Sequence, residues 1–375
     1  MNIGLIVKDF AMGKQFSKDG LPTKSGAEFH AENHALQLIK KGHNVTIMAK
    51  KRYWFTKGRE NYSGIDLVRL HAPFRWLEIW VRLLSTHRNI DVFYILGKPA
   101  FAVWVILYAK LFNKRVVMSL TGKSEIFSKN DNWRNKVFTK CDHYLALSQE
   151  IHDGFIEKAE ITPDKITILG QGIDTDKFPC IKPEDKCILR NTYGFDSDNI
   201  ILLFCARIAP NKGIDMVMKV WPNLHREFPR AKLLVVGGGQ HTWMEKLRML
   251  SEECDQSVVV TGDVNNPRDY YQISDIYIFP SHHEGLPTTL MEAMSCGLPS
   301  VVSDIGGCRD LIIQNESGYL IPVNDEEGFY QSTRELFLNQ EKRHCFGKNA
   351  SKYVHDNCDY KKVITILEEI LDKYS

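Results

Sequence analysis

What most constrains this chain is a rhythm. Short β-branched, apolar runs alternate with segments of helical period, and the alternation occurs twice. In the first half the runs fall at residues 2–7, 44–49, 65–70, 91–96, 114–120, 143–148 and 165–169, with helical patterns at 26–41 and 100–112 among them. Several are apolar nearly end to end, as strands are when helices cover both faces of a parallel sheet. A polar stretch at 178–198, with Pro179, Pro183 and Gly194, reads as an inter-domain link, and a second series follows at 200–206, 232–237, 257–262, 276–280 and 300–303. The pattern predicts an α/β protein of two Rossmann-like, doubly wound parallel-sheet domains, residues 1–178 and 179–357. Residues 360–374 form an amphipathic helix whose stripe (Val363, Ile364, Leu367, Leu371) needs a docking surface.

Composition narrows the class. Forty-eight Lys and Arg against 46 Asp and Glu leave a net charge of +2, which argues against a nucleic-acid protein working by bulk charge. With 43% hydrophobic and 25% charged residues there is material for two cores, and disordered or coiled-coil readings fall away. The nine cysteines stand singly, with no C-x-x-C pair, a usage that suits a reducing compartment and buried thiols. Residues 1–7 run straight into a core-like strand, so no leader is expected, and the longest apolar run, 101–112, is broken by Lys110 and too short to span a bilayer. The expected location is the cytoplasm, peripheral on the inner face of a membrane.

Ligands in doubly wound sheets bind beyond the carboxyl ends of the strands, and four such loops carry chemistry. After the run ending at Pro280-Ser281 comes Glu284-Gly285-Leu286-Pro287-Thr288-Thr289-Leu290-Met291-Glu292. Pro287 suits a first helical position, and the N–H groups of Thr288, Thr289 and Leu290 would then form an anion site at the helix N-terminus. Glu292, one turn on, would reach a sugar hydroxyl, and Glu284 would be free to face the cleft; ordinary acidic capping is the plain alternative. Arg207 and Lys212-Gly213 follow the run at 200–206 and could grip a diphosphate, or be a solvated surface pair. Gly26 opens a helical pattern and would allow close approach of a phosphate, or serve only as a turn. Gly237-Gly238-Gly239 lacks G-x-G-x-x-G spacing, so a dinucleotide reading is poor.

The metal-like strings are weaker. His30-Ala31-Glu32-Asn33-His34 has the glutamate out of place for a zinc motif, Asp174-Thr175-Asp176 and Asp196-Ser197-Asp198 lie in turn-rich sequence, and His282-His283 reads as exposed. No metal and no cofactor are expected.

Taken in order, Ser148, Gly170-Gln171-Gly172-Ile173-Asp174 with Phe178, Arg207, Lys212-Gly213, Glu284-x7-Glu292, Cys296-Gly297-x-Pro299 and Asp304-Ile305-Gly306-Gly307 resemble the retaining GT-B glycosyltransferases of family four (glycosyl transferases group 1). The resemblance covers nearly the whole chain. It implies two Rossmann-like domains, the second (179–357) holding a nucleotide-sugar donor, the first the acceptor, and a C-terminal helix (358–375) that packs back on the first. It implies that Arg207 and Lys212 hold the donor diphosphate in place of a metal, Glu292 the ribose and Glu284 the transferred sugar. Gly285, Leu286, Thr288, Thr289 and Leu290 would line that site, with Gly26, Thr121 and Gly122 facing it from the first domain. Thr121 departs from the family, standing where many members have a histidine before the glycine; it can hydrogen-bond a donor hydroxyl but carries no charge near neutral pH.

Residues 74–84 (Phe74-Arg75-Trp76-Leu77-Glu78-Ile79-Trp80-Val81-Arg82-Leu83-Leu84), preceded by a basic aromatic stretch at 50–55, read as a face for an anionic membrane, or as a core helix with snorkelling arginines. The loop at 11–24 is expected to flex near the acceptor. The combined expectation is a hexosyltransferase using a nucleotide sugar, a UDP-sugar foremost, on a hydroxyl of a glycan or lipid-linked acceptor in surface polysaccharide or lipopolysaccharide assembly. A UDP-sugar 2-epimerase, which would need acid and base groups at the sugar and no acceptor, is the runner-up; a non-catalytic nucleotide-sugar-binding subunit is a third reading.

Overall fold

Burial follows the apolar runs strand by strand, and the strands sort into two sheets. The computed structural model describes residues 1–10, 26–51, 57–71, 75–85, 87–120, 122 and 125–375. They divide into two compact units, Met1–Gln171 together with Lys361–Ser375, and Gly172–Tyr360.

In the first unit the order is β1 (Asn2–Asp9), α1 (Gly26–Lys40), β2 (Asn44–Lys50), β3 (Arg59–Tyr62), β4 (Ile65–Leu70), α2 (Arg75–Leu84), β5 (Val92–Leu96), α3 (Ala102–Leu111), β6 (Arg115–Leu120), α4 (Trp133–Phe138), β7 (His143–Ala146), α5 (Gln149–Glu157) and β8 (Ile166–Ile168). The strands lie β3-β4-β2-β1-β5-β6-β7-β8 and are parallel except for β3, which pairs antiparallel with β4 at the edge. Strand β3 was not expected: Arg59-Glu60-Asn61-Tyr62 has no apolar face to announce it, and Glu60 is there to meet the buried Arg69 of β4.

The second unit runs α6 (Pro183–Thr192), β9 (Ile201–Cys205), α7 (Ile214–Glu227), β10 (Lys232–Val236), α8 (His241–Glu253), β11 (Val258–Gly262), α9 (Arg268–Ile273), β12 (Ile276–Phe279), α10 (Thr288–Ser295), β13 (Ser300–Ser303), α11 (Gly306–Arg309), β14 (Gly318–Ile321), α12 (Glu326–Leu338) and α13 (Gln340–Asn357). Its strands, in the order β11-β10-β9-β12-β13-β14, are parallel throughout. The strand order reverses between β9 and β12, the switch point where a doubly wound sheet offers a crevice.

The residues read as a link are not one. Pro183 occupies the first position of α6, and Gly194, at φ +77°, follows the helix in the left-handed conformation that ends it. The division falls at 171/172, ahead of the expected 178/179, because the backbone N–H of Ile173 donates to Cys358 and that of Tyr360 to Ile173, while Phe178 stacks edge-on against Tyr271. The chain then crosses back: α14 (Tyr360–Lys373) buries Val363, Ile364, Leu367 and Leu371 in the first unit. There Glu368 sits 2.6 Å from both Lys41 Nζ and His43 Nε2, and Tyr374 stacks on His143.

Helix α2 is buried on one side and exposed on the other. Ile79 and Leu83 are fully buried, whereas Trp76, Leu77, Val81 and Leu84 stay about half exposed. Phe74, the stretch at 52–55 and the loop at 11–24 lie outside the described residues. Among the described residues no helix is long and apolar enough to cross a membrane. All nine cysteines are free thiols.

Candidate functional site

The second unit's switch point gathers the predicted residues. Strand β9 is buried along its whole length and delivers Ala206 and Arg207 at its carboxyl end. Arg207 is exposed, and among the described residues it makes no ion pair. The chain then makes one 3₁₀ turn (Pro210–Lys212) and enters α7 through Gly213 at φ +76°. A Cβ there would lie 1.9 Å from the carbonyl oxygen of Pro280, so only glycine lets the β9 loop rest on the β12 loop. Two hydrogen bonds complete that seam, Ser281 Oγ and His282 N both donating to Asn211 O.

Lys212 and Glu284 meet across the seam. Lys212 Nζ donates to Glu284 Oε1 at 2.5 Å, and Ser281 Oγ lies 2.8 Å from the same oxygen, its single proton shared between that oxygen and Asn211 O. The expectation of a Glu284 free to face a cleft is therefore corrected: its carboxylate is held on two sides, and the lysine expected to hold phosphate is engaged by it. Both side chains are mostly buried, which strengthens their attraction relative to a solvated pair. Lys212 also lies 5.9 Å above the Phe279 ring.

Helix α10 starts beside this pair. Pro287 is its N-cap, not the first helical residue it was expected to be, and no side chain caps it. The N–H groups of Thr289 and Leu290 have no acceptor within the helix, which puts two donors and the positive end of the helix dipole at this point. Thr289 is oriented by Tyr277, whose hydroxyl donates to Thr289 Oγ1 at 2.9 Å. Gly285 and Leu286 form the approach, and Gly307 lies against it so closely that a Cβ would be 2.1 Å from Gly285 O.

Glu292, one turn along, makes no ion pair among the described residues. Tyr271 from α9 donates its hydroxyl to Glu292 Oε2 at 2.8 Å, yet burial dominates and pushes the carboxyl up to about 7. Tyr271 is in turn fixed by Phe178, whose carbonyl accepts from Ser295 Oγ at the end of α10.

The Gly237-Gly238-Gly239 loop has a packing role. A Cβ on Gly237 would meet Ala206 O at 2.0 Å and one on Gly239 would meet Ile208 O at 2.4 Å, so the loop lies directly on the Arg207 segment, and Asp263 pins it by accepting from Gly238 N. Sequence reasoning missed Tyr271, Tyr277, Ser281 and Asp263. The tyrosines belong to ordinary buried patterns, and only their hydroxyl partners set them apart.

The remaining predicted residues lie elsewhere. Gly26 opens α1 and Gly122 follows β6, both in the first unit; a Cβ on Gly122 would meet nothing within 4 Å, so its value as a glycine is not steric. Thr121 lies outside the described residues. Of the metal-like strings, Asp174 pairs with Lys177, Asp198 with Arg230, and His282 and His283 are exposed.

A doubly wound pair of domains, with cations, an open helix end and glutamates at the second switch point, defines the GT-B class of glycosyltransferase. Two family profiles match the chain in order: Glycosyltransferase Family 4 over residues 24–177 and Glycosyl transferases group 1 over residues 185–353. The chain belongs to the family-four GT-B glycosyltransferases. An uncharacterised glycosyltransferase of Methanocaldococcus jannaschii is 26% identical over 318 residues, 79% of each chain. The GDP-mannose-dependent alpha-(1-6)-phosphatidylinositol monomannoside mannosyltransferase of Mycolicibacterium smegmatis is 23% identical over 380 residues, covering 95% of this chain and 97% of its own. In fold, HepE of Anabaena, solved in complex with UDP, matches with a TM-score of 0.79 at 16% identity over 100% of both chains.

Proposed function

We propose that this glycosyltransferase is retaining and metal-independent, and that it moves a hexose-type sugar from a UDP-sugar to a hydroxyl of a glycan or lipid-linked acceptor in surface polysaccharide or lipopolysaccharide assembly. One observation carries the reading: the Lys212–Glu284 pair lies on the same strand-end loops as the N-terminus of α10 and Arg207, which makes no ion pair among the described residues. As the donor enters, its diphosphate takes Lys212 from Glu284, Arg207 closes on a second phosphate oxygen, and Thr289 and Leu290 donate their N–H groups. Glu284, released, accepts hydrogen bonds from the hydroxyls of the transferred sugar, and Glu292 from those of the ribose. Breaking the anomeric C–O bond leaves charge on the nucleoside diphosphate, and the fixed cations and helix end stabilise it as it develops. The acceptor hydroxyl attacks the face that the diphosphate leaves, a donor phosphate oxygen taking its proton. On this reading Gly26, Thr121 and Gly122 are further donor-binding residues.

Support for the donor comes from HepE, solved with UDP, and for a lipid-borne acceptor from the mycolicibacterial relative, although that enzyme's donor is GDP-mannose. The exposed face of α2 supports work at an anionic membrane surface on the cytoplasmic side. The test is a thermal-shift panel of UDP, GDP, ADP and dTDP in EDTA, repeated on Arg207→Ala. A ligand at a hundred times its dissociation constant adds about 2.7 kcal/mol, on the order of several degrees. Stabilisation by UDP that the variant loses is the expected result; a shift that requires divalent metal overturns the metal-independent mechanism, and a preference for GDP overturns the donor.

A further inference from the structure

A cavity lies at the opposite end of the same sheet from the Lys212–Glu284 pair. It occupies about 1110 Å³ between α6 and α13, and its floor is made by residues that precede strands β9, β12 and β13 (Asn199, Asp275, Pro299). The donor-type residues follow the strands, so the two places are separated by the length of β9, about 16 Å.

Its charge is one-sided. Five cations line it, Lys186 and Arg190 from α6 and Arg343, Lys348 and Lys352 from α13, against two carboxylates, Asp198 and Asp275, leaving three positive charges. Both carboxylates are already spent. Asp275 accepts from Lys186 Nζ at 2.8 Å, Arg190 Nη2 at 2.5 Å and the N–H of Ile201 at 2.8 Å, and Asp198 is paired with Arg230, which is outside the cavity. Arg343 gives one nitrogen to the carbonyls of Leu336 and Phe337 and, with Lys348 and Lys352, makes no ion pair among the described residues. Crowding is felt inside: burial lowers the Lys186 ammonium against the pull of Asp275, and Arg190 and Arg343 lower it further. A protein that only needed to close this seam would place carboxylates opposite α13; among the described lining residues there are none to spare.

We propose that this cavity is a binding site for a soluble small molecule bearing two or more phosphate charges, distinct from the donor site and held by Arg343, Lys348 and Lys352 with Lys186 and Arg190 behind them. The proposal does not depend on the donor reading.

Two exposed thiols on the cavity wall, Cys180 and Cys187, supply the readout. The probe is inorganic pyrophosphate, added to the full chain carrying Arg207→Ala and Lys212→Ala so that the donor site contributes nothing. Alkylation of Cys180 and Cys187 by iodoacetamide is followed by peptide mass spectrometry. At ten times its dissociation constant pyrophosphate slows alkylation about tenfold, while potassium chloride of equal ionic strength does not. Adding Lys348→Glu and Lys352→Glu, both at exposed positions, abolishes the protection; Lys352→Ser alone weakens it should the double charge reversal fail to fold. No protection by pyrophosphate, or equal protection in the charge-reversed variant, overturns the proposal.

Discussion

Lys212 Nζ lies 2.5 Å from Glu284 Oε1, so the cation that would neutralise a leaving diphosphate is already neutralised by the carboxylate that would hold the sugar. On the proposed mechanism donor binding breaks this pair, and its two halves are then expected to respond differently to substitution. Replacing Lys212 by Ala removes charge stabilisation at the leaving group and lowers kcat by roughly a hundred- to a thousandfold. Replacing Glu284 by Gln frees the lysine: the affinity for UDP alone rises a few-fold while turnover falls, because a sugar hydroxyl loses its carboxylate. Calorimetric titration of UDP beside steady-state kinetics checks both. Weaker UDP binding in Glu284→Gln would remove the exchange from the mechanism.

Glu292 makes stability depend on pH in an unusual direction. Its carboxyl is raised from 4.5 to about 7 by burial, the Tyr271 hydrogen bond opposing, so between those values the folded chain keeps a proton that the unfolded chain releases. The resulting stabilisation is at most about 3 kcal/mol, present in full below pH 4.5 and lost as the pH rises through 7. Glu292→Gln removes this dependence. Thermal melts at pH 5 and pH 8 should show the wild-type Tm falling relative to the variant by a few degrees; parallel curves would mean that Glu292 is ionised throughout.

Gly213 and Gly194 share a left-handed backbone, at φ +76° and +77°, but not a neighbourhood. A Cβ at Gly194 meets nothing within 4 Å, whereas one at Gly213 drives into Pro280 O. Gly194→Ala should cost about 1–2 kcal/mol, the backbone penalty alone, and keep the UDP thermal shift. Gly213→Ala adds overpacking of about 1–3 kcal/mol and displaces the loop that carries Ser281, so the UDP shift is lost as well. Urea unfolding together with the nucleotide panel separates the two; equal losses would show that the β9–β12 seam tolerates movement.

The inner parallel strands, β5, β9, β12 and β13 among them, were legible because they are buried along their whole length and therefore apolar nearly end to end; the short β14 was not expected. The candidate site was legible in part, since Arg207, Lys212, Glu284 and Glu292 all follow such strands. Three further things were not. Strand β3 is a polar edge whose place depends on pairing with β4 across a turn. Pro183 and Gly194 look alike in a linker and at the two ends of a helix, and only the burial of Arg190 against Ile273, Ser197 and Asn199 tells them apart. The Lys212–Glu284 contact joins residues 72 apart, and local pattern cannot say whether two opposite charges at neighbouring strand ends face a ligand or each other.

The exposed face of α2 continues onto its neighbours. Trp76 lies 6.0 Å from Trp104 of α3, and Trp104 lies 6.3 Å from Trp133 of α4, with Trp76 and Trp133 about half exposed and Arg134 set 5.8 Å from the Trp133 ring. Indoles in a row with a cation at the edge suit the headgroup layer of an anionic bilayer, where the rings leave water and the cation stays at the phosphates. The full chain should float with vesicles containing anionic lipid, weakly with neutral ones, and less as salt rises. Trp76→Ser with Trp133→Ser gives up about 2 kcal/mol of ring burial, roughly thirtyfold in partitioning. UDP binding, measured without vesicles, is expected to stay unchanged because neither Trp76 nor Trp133 is among the residues proposed to hold the donor. Flotation that survives the double substitution would place the membrane contact on another face of the protein.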